Sequence, residues 1–166
     1  MCGLIAAFLV LLAAAHDLAT RRIPNALCAL LALLSLAARA TEGLAALGAT
    51  LAAASALFAL LVVLFSRGLL GGGDVKLATA GALGLPPVAI WDFVVATTLA
   101  GGLLSLLYLA GPHLPLPRPS PAGRAQPVLI RLAATEAWRL RRRGPLPYGV
   151  AIAAGLLLSR NLHAVA

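Results

Sequence analysis

The sequence predicts an all-α membrane protein with about six transmembrane helices, on three observations. Of its 166 residues, 61% are hydrophobic and 11% charged, where a soluble domain carries roughly 25% charged residues. Mean hydropathy is +0.99. Two uncharged runs, residues 44–65 and 93–111, are each long enough to cross a hydrocarbon core of roughly 30 Å as a helix. So few charges cannot cover a water-facing surface, which excludes a soluble enzyme and a disordered tail.

The remaining elements are shorter. Residues 1–15, 23–38, 77–91 and 145–159 each form an uncharged stretch of 15 or 16 residues that spans by borrowing flanking ones. The first run, MCGLIAAFLV, lacks the basic n-region of a signal peptide and reads as a retained span. Together these make one polytopic domain over residues 1–166.

The 13 basic residues face 5 acids, for a net charge of +8. A nucleic-acid binder would hold its cations on a solvated face, whereas here they punctuate apolar runs, so nucleic acid is not expected as a partner. With six spans and the N-terminus outside, eleven of the 13 fall on the inner side, leaving only Arg39 and Arg160 outside. This is the asymmetry of the positive-inside rule. Residues 112–144 then form a cytoplasmic Pro/Arg-rich loop. Its first half, PHLPLPRPSPAGRAQP, reads as an irregular linker. Its second half, VLIRLAATEAWRLRRR, reads as a topology-setting loop or as a basic amphipathic helix on the inner membrane surface. Cys2 and Cys28 show no CxxC or His-Cys spacing, so neither a disulfide framework nor a metal site is expected.

Acids beside membrane spans are costly and point to function. Asp17 lies at the inner end of the first span, in HDLATRRIPNAL, and Asp74 at the head of the fourth, in GLLGGGDVKL. They are 57 positions apart, enough for two crossings, which return the chain to the same face. Pro24 suits the first turn of the second span. Gly71, Gly72 and Gly73 permit a close approach of another backbone to Asp74. A carboxyl pair at a partly dehydrated boundary suits acid–base work, because repulsion and desolvation favour one protonated and one ionised member. Asp92, beside Trp91 in PPVAIWDF, falls on the outer side and reads as an interfacial anchor. Glu42 and Glu136 read as solvated.

At these residues the chain resembles the type IV prepilin peptidases, intramembrane aspartyl proteases of the GxGD group. DLATRRIPN matches the family's first motif and Gly71-Gly72-Gly73-Asp74 its second, with Lys76 matching the G-x-G-D-x-K extension. Pro147, Tyr148 and Gly149 resemble the proline–aromatic–glycine segment at the last helix. The similarity runs from Asp17 to about Gly155. It implies a GxGD aspartyl protease-like fold in which Asp17 and Asp74 are catalytic and activate water without metal or organic cofactor. It further implies that Gly71, Gly73, Lys76, Pro147, Tyr148 and Gly149 support the site or bind substrate. Lys76 would bias the charge state of the pair or simply snorkel to the interface.

The long cytoplasmic insert with paired CxxC motifs, found in bifunctional relatives that also N-methylate the pilin, has no counterpart here. The chain is more similar to the short, peptidase-only branch serving Flp-type tight-adherence pili. The resemblance thus implies an endopeptidase of the bacterial inner membrane, without methyltransferase activity, whose site faces the cytoplasm. It would cleave the leader from a prepilin or pseudopilin and work beside pilus assembly machinery. Its rivals are a small proton-coupled transporter or its subunit, which would need acids near the bilayer midplane, and a catalytically silent assembly scaffold. A serine protease is disfavoured because no G-x-S-x-G motif occurs.

Overall fold

The computed structural model of the chain describes residues 2–110, 135 and 146–165. These contain six helices: α1 (Cys2–Thr20), α2 (Asn25–Ala40), α3 (Leu44–Ser66), α4 (Gly72–Ala82), α5 (Pro87–Ala110) and α6 (Tyr148–Val165). The Pro/Arg-rich loop expected at 112–144 lies outside the described residues, apart from Thr135.

By length and composition α1, α3 and α5 can each cross a membrane, and α2 and α6 are shorter apolar helices. Large apolar side chains stand outward along them, with Leu4 79%, Leu44 85% and Leu99 69% exposed. A soluble monomer rarely exposes so much contiguous apolar surface, and a bilayer is the solvent that accepts it. The interior is made instead of small residues. Ala13, Ala54, Ala82 and Ala89 are buried, with Val10, Leu31, Leu77 and Phe93 filling the gaps between them. Lipid tails are as apolar as leucine, so helices in a membrane associate through close packing, which small residues allow.

The expected fourth span, residues 77–91, is not one helix. α4 has 11 residues, a length of about 16 Å, which is too short to cross alone. The chain then turns at 83–86, and α5 begins at Pro87 and takes in Trp91 and Asp92. Hydropathy misses this break because Gly84, Pro86 and Pro87 carry no charge. Proline has no N–H and clashes inside a helix, but its fixed φ suits a first helical turn, so the pair ends one helix and starts the next.

The short α4 sits inside the bundle, in contact with α1, α2, α3 and α6, and six of its residues are buried. Irregular backbone at membrane depth is tolerated only where protein satisfies its polar groups. Here the Thr50 hydroxyl donates to the Leu85 carbonyl at 3.1 Å and accepts from Arg39 Nε at 3.0 Å. Arg39 is itself paired with Glu42. A buried polar chain from α2 through α3 thereby receives the turn after α4.

Candidate active site

Asp17 lies in the last turn of α1 and is 7% exposed. Helix α1 ends at Arg21, which adopts the left-handed conformation (φ 56°) and donates its N–H to the Asp17 carbonyl at 2.8 Å. This is a common way to satisfy a helix's last carbonyls. The Arg21 side chain reaches the far end of α5, where Nη2 donates to the Tyr108 hydroxyl at 2.9 Å. His16 accompanies the turn, its Nδ1 2.7 Å from the Arg22 carbonyl.

The Asp17 carboxylate is held from across the bundle. Gly149 N–H, in the first turn of α6, donates to Asp17 Oδ2 at 3.0 Å. The first N–H groups of a helix have no partner within it, and they carry the positive end of its dipole, so a carboxylate is favoured there. Space is tight as well. A Cβ on Gly149 would stand 2.9 Å from Asp17 Oδ2 and 3.0 Å from Asp17 Cβ, distances that side-chain carbons do not adopt.

Asp74 occupies the third helical position of α4, with Gly71 as N-cap. Its carboxylate turns back toward Gly71, as the acidic residue of a capping box does. Asp74 Oδ2 lies 2.7 Å from where a Gly71 Cβ would be, so a side chain there would force the carboxylate to shift. Gly73 accepts the side chain of Ile23, whose Cβ comes within 3.3 Å of the equivalent point. The two motifs read separately in the sequence, R-R-I-P-N and G-G-G-D, therefore pack against each other. The space left by the glycines is filled by the protein's own side chains.

The two carboxyls are near enough for the charge of Asp17 to act on Asp74. Both stand at one end of the bundle, where α1 and α6 meet through Asp17 and Gly149 and where the Arg21–Tyr108 bond joins α1 to α5. Lys76 is exposed and donates to Asn25 Oδ1 at 3.0 Å, tying α4 to the first turn of α2. Pro147 is fully buried, and Tyr148 packs its ring on Gly101 of α5. Tyr148 also lines an apolar cavity of about 510 Å³ between α3, α5 and α6, with Leu64, Leu70, Phe93 and Ile152 among its walls. The structure thus gathers Asp17, Asp74, Gly71, Gly73 and Gly149 into one cluster, with Lys76 and Tyr148 at its margins.

Sequence reading missed two features: the hold of Gly149 on Asp17 and the bond from Arg21 to Tyr108. Each links residues about a hundred positions apart, so no local pattern signals them.

A family model for the type IV leader peptidase family matches residues 4–109. The chain belongs to that family. The match covers α1 to α5 and both aspartate motifs, while Pro147, Tyr148 and Gly149 lie beyond it. Comparison with curated proteins and with solved structures gives no match. As a type IV leader peptidase of all-α membrane architecture, the protein is a protease, and its family supports leader-peptide cleavage over the transporter alternative.

Proposed function

We propose that this leader peptidase is an aspartic endopeptidase, with Asp17 and Asp74 as its catalytic pair. The observation that carries this reading is the packing of the two aspartate motifs at one end of the bundle, Ile23 of the first lying against Gly73 of the second. The ionised member removes a proton from water, and the resulting hydroxide attacks the scissile carbonyl carbon. The protonated member donates to the carbonyl oxygen. On collapse of the tetrahedral intermediate the first member passes its proton to the nitrogen and the second takes one back from a hydroxyl. The C–N bond breaks, a carboxylic acid and an amine leave, and the pair is restored. Gly149 N–H holds Asp17 in place throughout.

The substrate is an Flp-type prepilin or pseudopilin, and the cut falls after its short leader at the cytoplasmic face of the bacterial inner membrane. The apolar stretch that follows the leader enters beside Tyr148, where the cavity between α3, α5 and α6 offers apolar walls. Gly71, Gly73 and Lys76 support Asp74, and Pro147 and Tyr148 set the start of α6. The mature product passes to pilus assembly machinery. N-methylation of the product is not expected.

The test is co-expression with an Flp-type prepilin, followed by mass spectrometry of the pilin N-terminus. Wild type, Asp17→Asn and Asp74→Asn are compared at equal membrane abundance. Leader loss with wild type alone supports the dyad. Cleavage by wild type and both variants alike would mean that other residues are the catalysts.

A further inference from the structure

At the end of the bundle away from the two aspartates lies a second cavity of about 570 Å³, enclosed by α1, α2, the turn after α4, and α6. Two basic residues among those described, Arg39 and Arg160, stand at this end. Both line this one cavity, together with Glu42.

Arg39 is 6% exposed in the last turn of α2. Its Nε donates to Thr50 and its Nη1 to Glu42, which fixes the plane of the guanidinium. Nη2 has no hydrogen bond among the described residues. Arg160, near the end of α6, makes no hydrogen bond or ion pair with any described residue. It is nevertheless accommodated by α1, because its Nη2 lies 2.7 Å from where a Cβ of Gly3 would stand. The absence of a side chain at Gly3 leaves the space in which the guanidinium lies against the helix.

Among the described lining residues, two guanidiniums stand against one carboxylate, a surplus positive charge beside apolar side chains. Such a charge is costly unless an anion accompanies it. The lining also holds the polar Asn161 and, beside it, the apolar Leu4, Ala7 and Leu157, with Leu4 largely exposed on the outer surface of α1. A cationic lining next to an apolar one suits an amphiphile better than a free inorganic ion. The volume lies within the roughly 300–1,000 Å³ typical of ligand sites.

We propose that this cavity binds the phosphate of an anionic phospholipid headgroup, with Arg39 Nη2 and Arg160 as its cationic partners. The fork of a guanidinium matches phosphate oxygens. An occupant would tie α1, α2, α6 and the turn after α4 together, and a ligand that binds only the folded state stabilises it.

The experiment uses the full chain in zwitterionic detergent. Thermal unfolding is followed while phosphatidylglycerol, phosphatidylcholine or inorganic phosphate is titrated, and native mass spectrometry counts bound lipid. Phosphatidylglycerol alone should raise the Tm and give an adduct. Arg160→Gln should bind it about tenfold more weakly, equivalent to about 1.4 kcal/mol, while keeping its lipid-free Tm. Arg67→Gln, an exposed charge at the other end of α3, should respond as wild type does. An equal response in Arg160→Gln and wild type would overturn the site. Loss of the response in Arg67→Gln as well would reduce it to general charge attraction, and a response to phosphate without phosphatidylglycerol would overturn the lipid assignment.

Discussion

Asp17 of α1 and Gly149 of α6, 132 positions apart, are joined by a hydrogen bond of 3.0 Å from the glycine N–H to the buried carboxylate. The glycine supplies two things at once: an unpartnered helix-terminal donor and the absence of a side chain. This contact holds one oxygen, Oδ2, of the Asp17 carboxylate.

Gly149→Ala tests it directly. The added methyl would stand 2.9 Å from Oδ2, so the carboxylate must move and the bond lengthen or break. A hydrogen bond to a charged group contributes about 1.5–3 kcal/mol, and each 1.36 kcal/mol on the barrier is tenfold in rate. Leader cleavage by the alanine variant should therefore fall roughly 10- to 100-fold at unchanged membrane abundance. Cleavage at the wild-type rate would show that the bond does not matter to the reaction.

Gly155→Ala should act on stability instead. Its Cβ would stand 2.8 Å from the backbone nitrogen and 2.9 Å from the Cα of Thr97, and backbone atoms cannot turn aside as a side chain does. α5 and α6 would have to separate. Overpacking of this kind costs about 1–3 kcal/mol, and thermal unfolding in detergent should show a lower Tm. Gly102→Ala is the matched control, since nothing lies within 4 Å of its Cβ position.

Thr50→Val retains shape and removes a hydroxyl that links Arg39 Nε to the Leu85 carbonyl. Both partners are left without it in a buried place, so a loss of about 1–3 kcal/mol is expected. The loss should not add to that of Arg39→Leu, because residues in one hydrogen-bond network couple. Additive losses in chemical unfolding would rule out the chain of bonds proposed to receive the turn after α4.

Lys76→Met and Asn25→Ala remove the two ends of one exposed hydrogen bond. Each should cost about 0.5–1.5 kcal/mol, and the double variant no more than either alone. If Lys76→Met slows leader cleavage severely while Asn25→Ala does not, the ammonium acts on the aspartates rather than on α2.

Much of this was legible in the chain itself. Helix α3 coincides closely with the uncharged run at 44–65, because length and apolarity alone decide whether a segment can live in hydrocarbon. The placement of Asp17 and Asp74 on one face follows from counting crossings, which depends on parity and not on packing. Pro24, read as part of the first turn of the second span, stands one position earlier, as the N-cap of α2. The fourth span was misread because hydropathy counts charge, whereas the break at Pro86 and Pro87 arises from a missing N–H and a steric clash.

The sequence by itself determined that this is an all-α membrane protein and which two acids share an end of it. Both follow from composition and order along the chain. The tertiary structure decided what each glycine is for. Gly71 makes room for the Asp74 carboxylate, Gly73 for Ile23, Gly149 for Asp17 and Gly3 for Arg160. A glycine contributes by leaving space, and what fills that space is known only when a distant segment arrives.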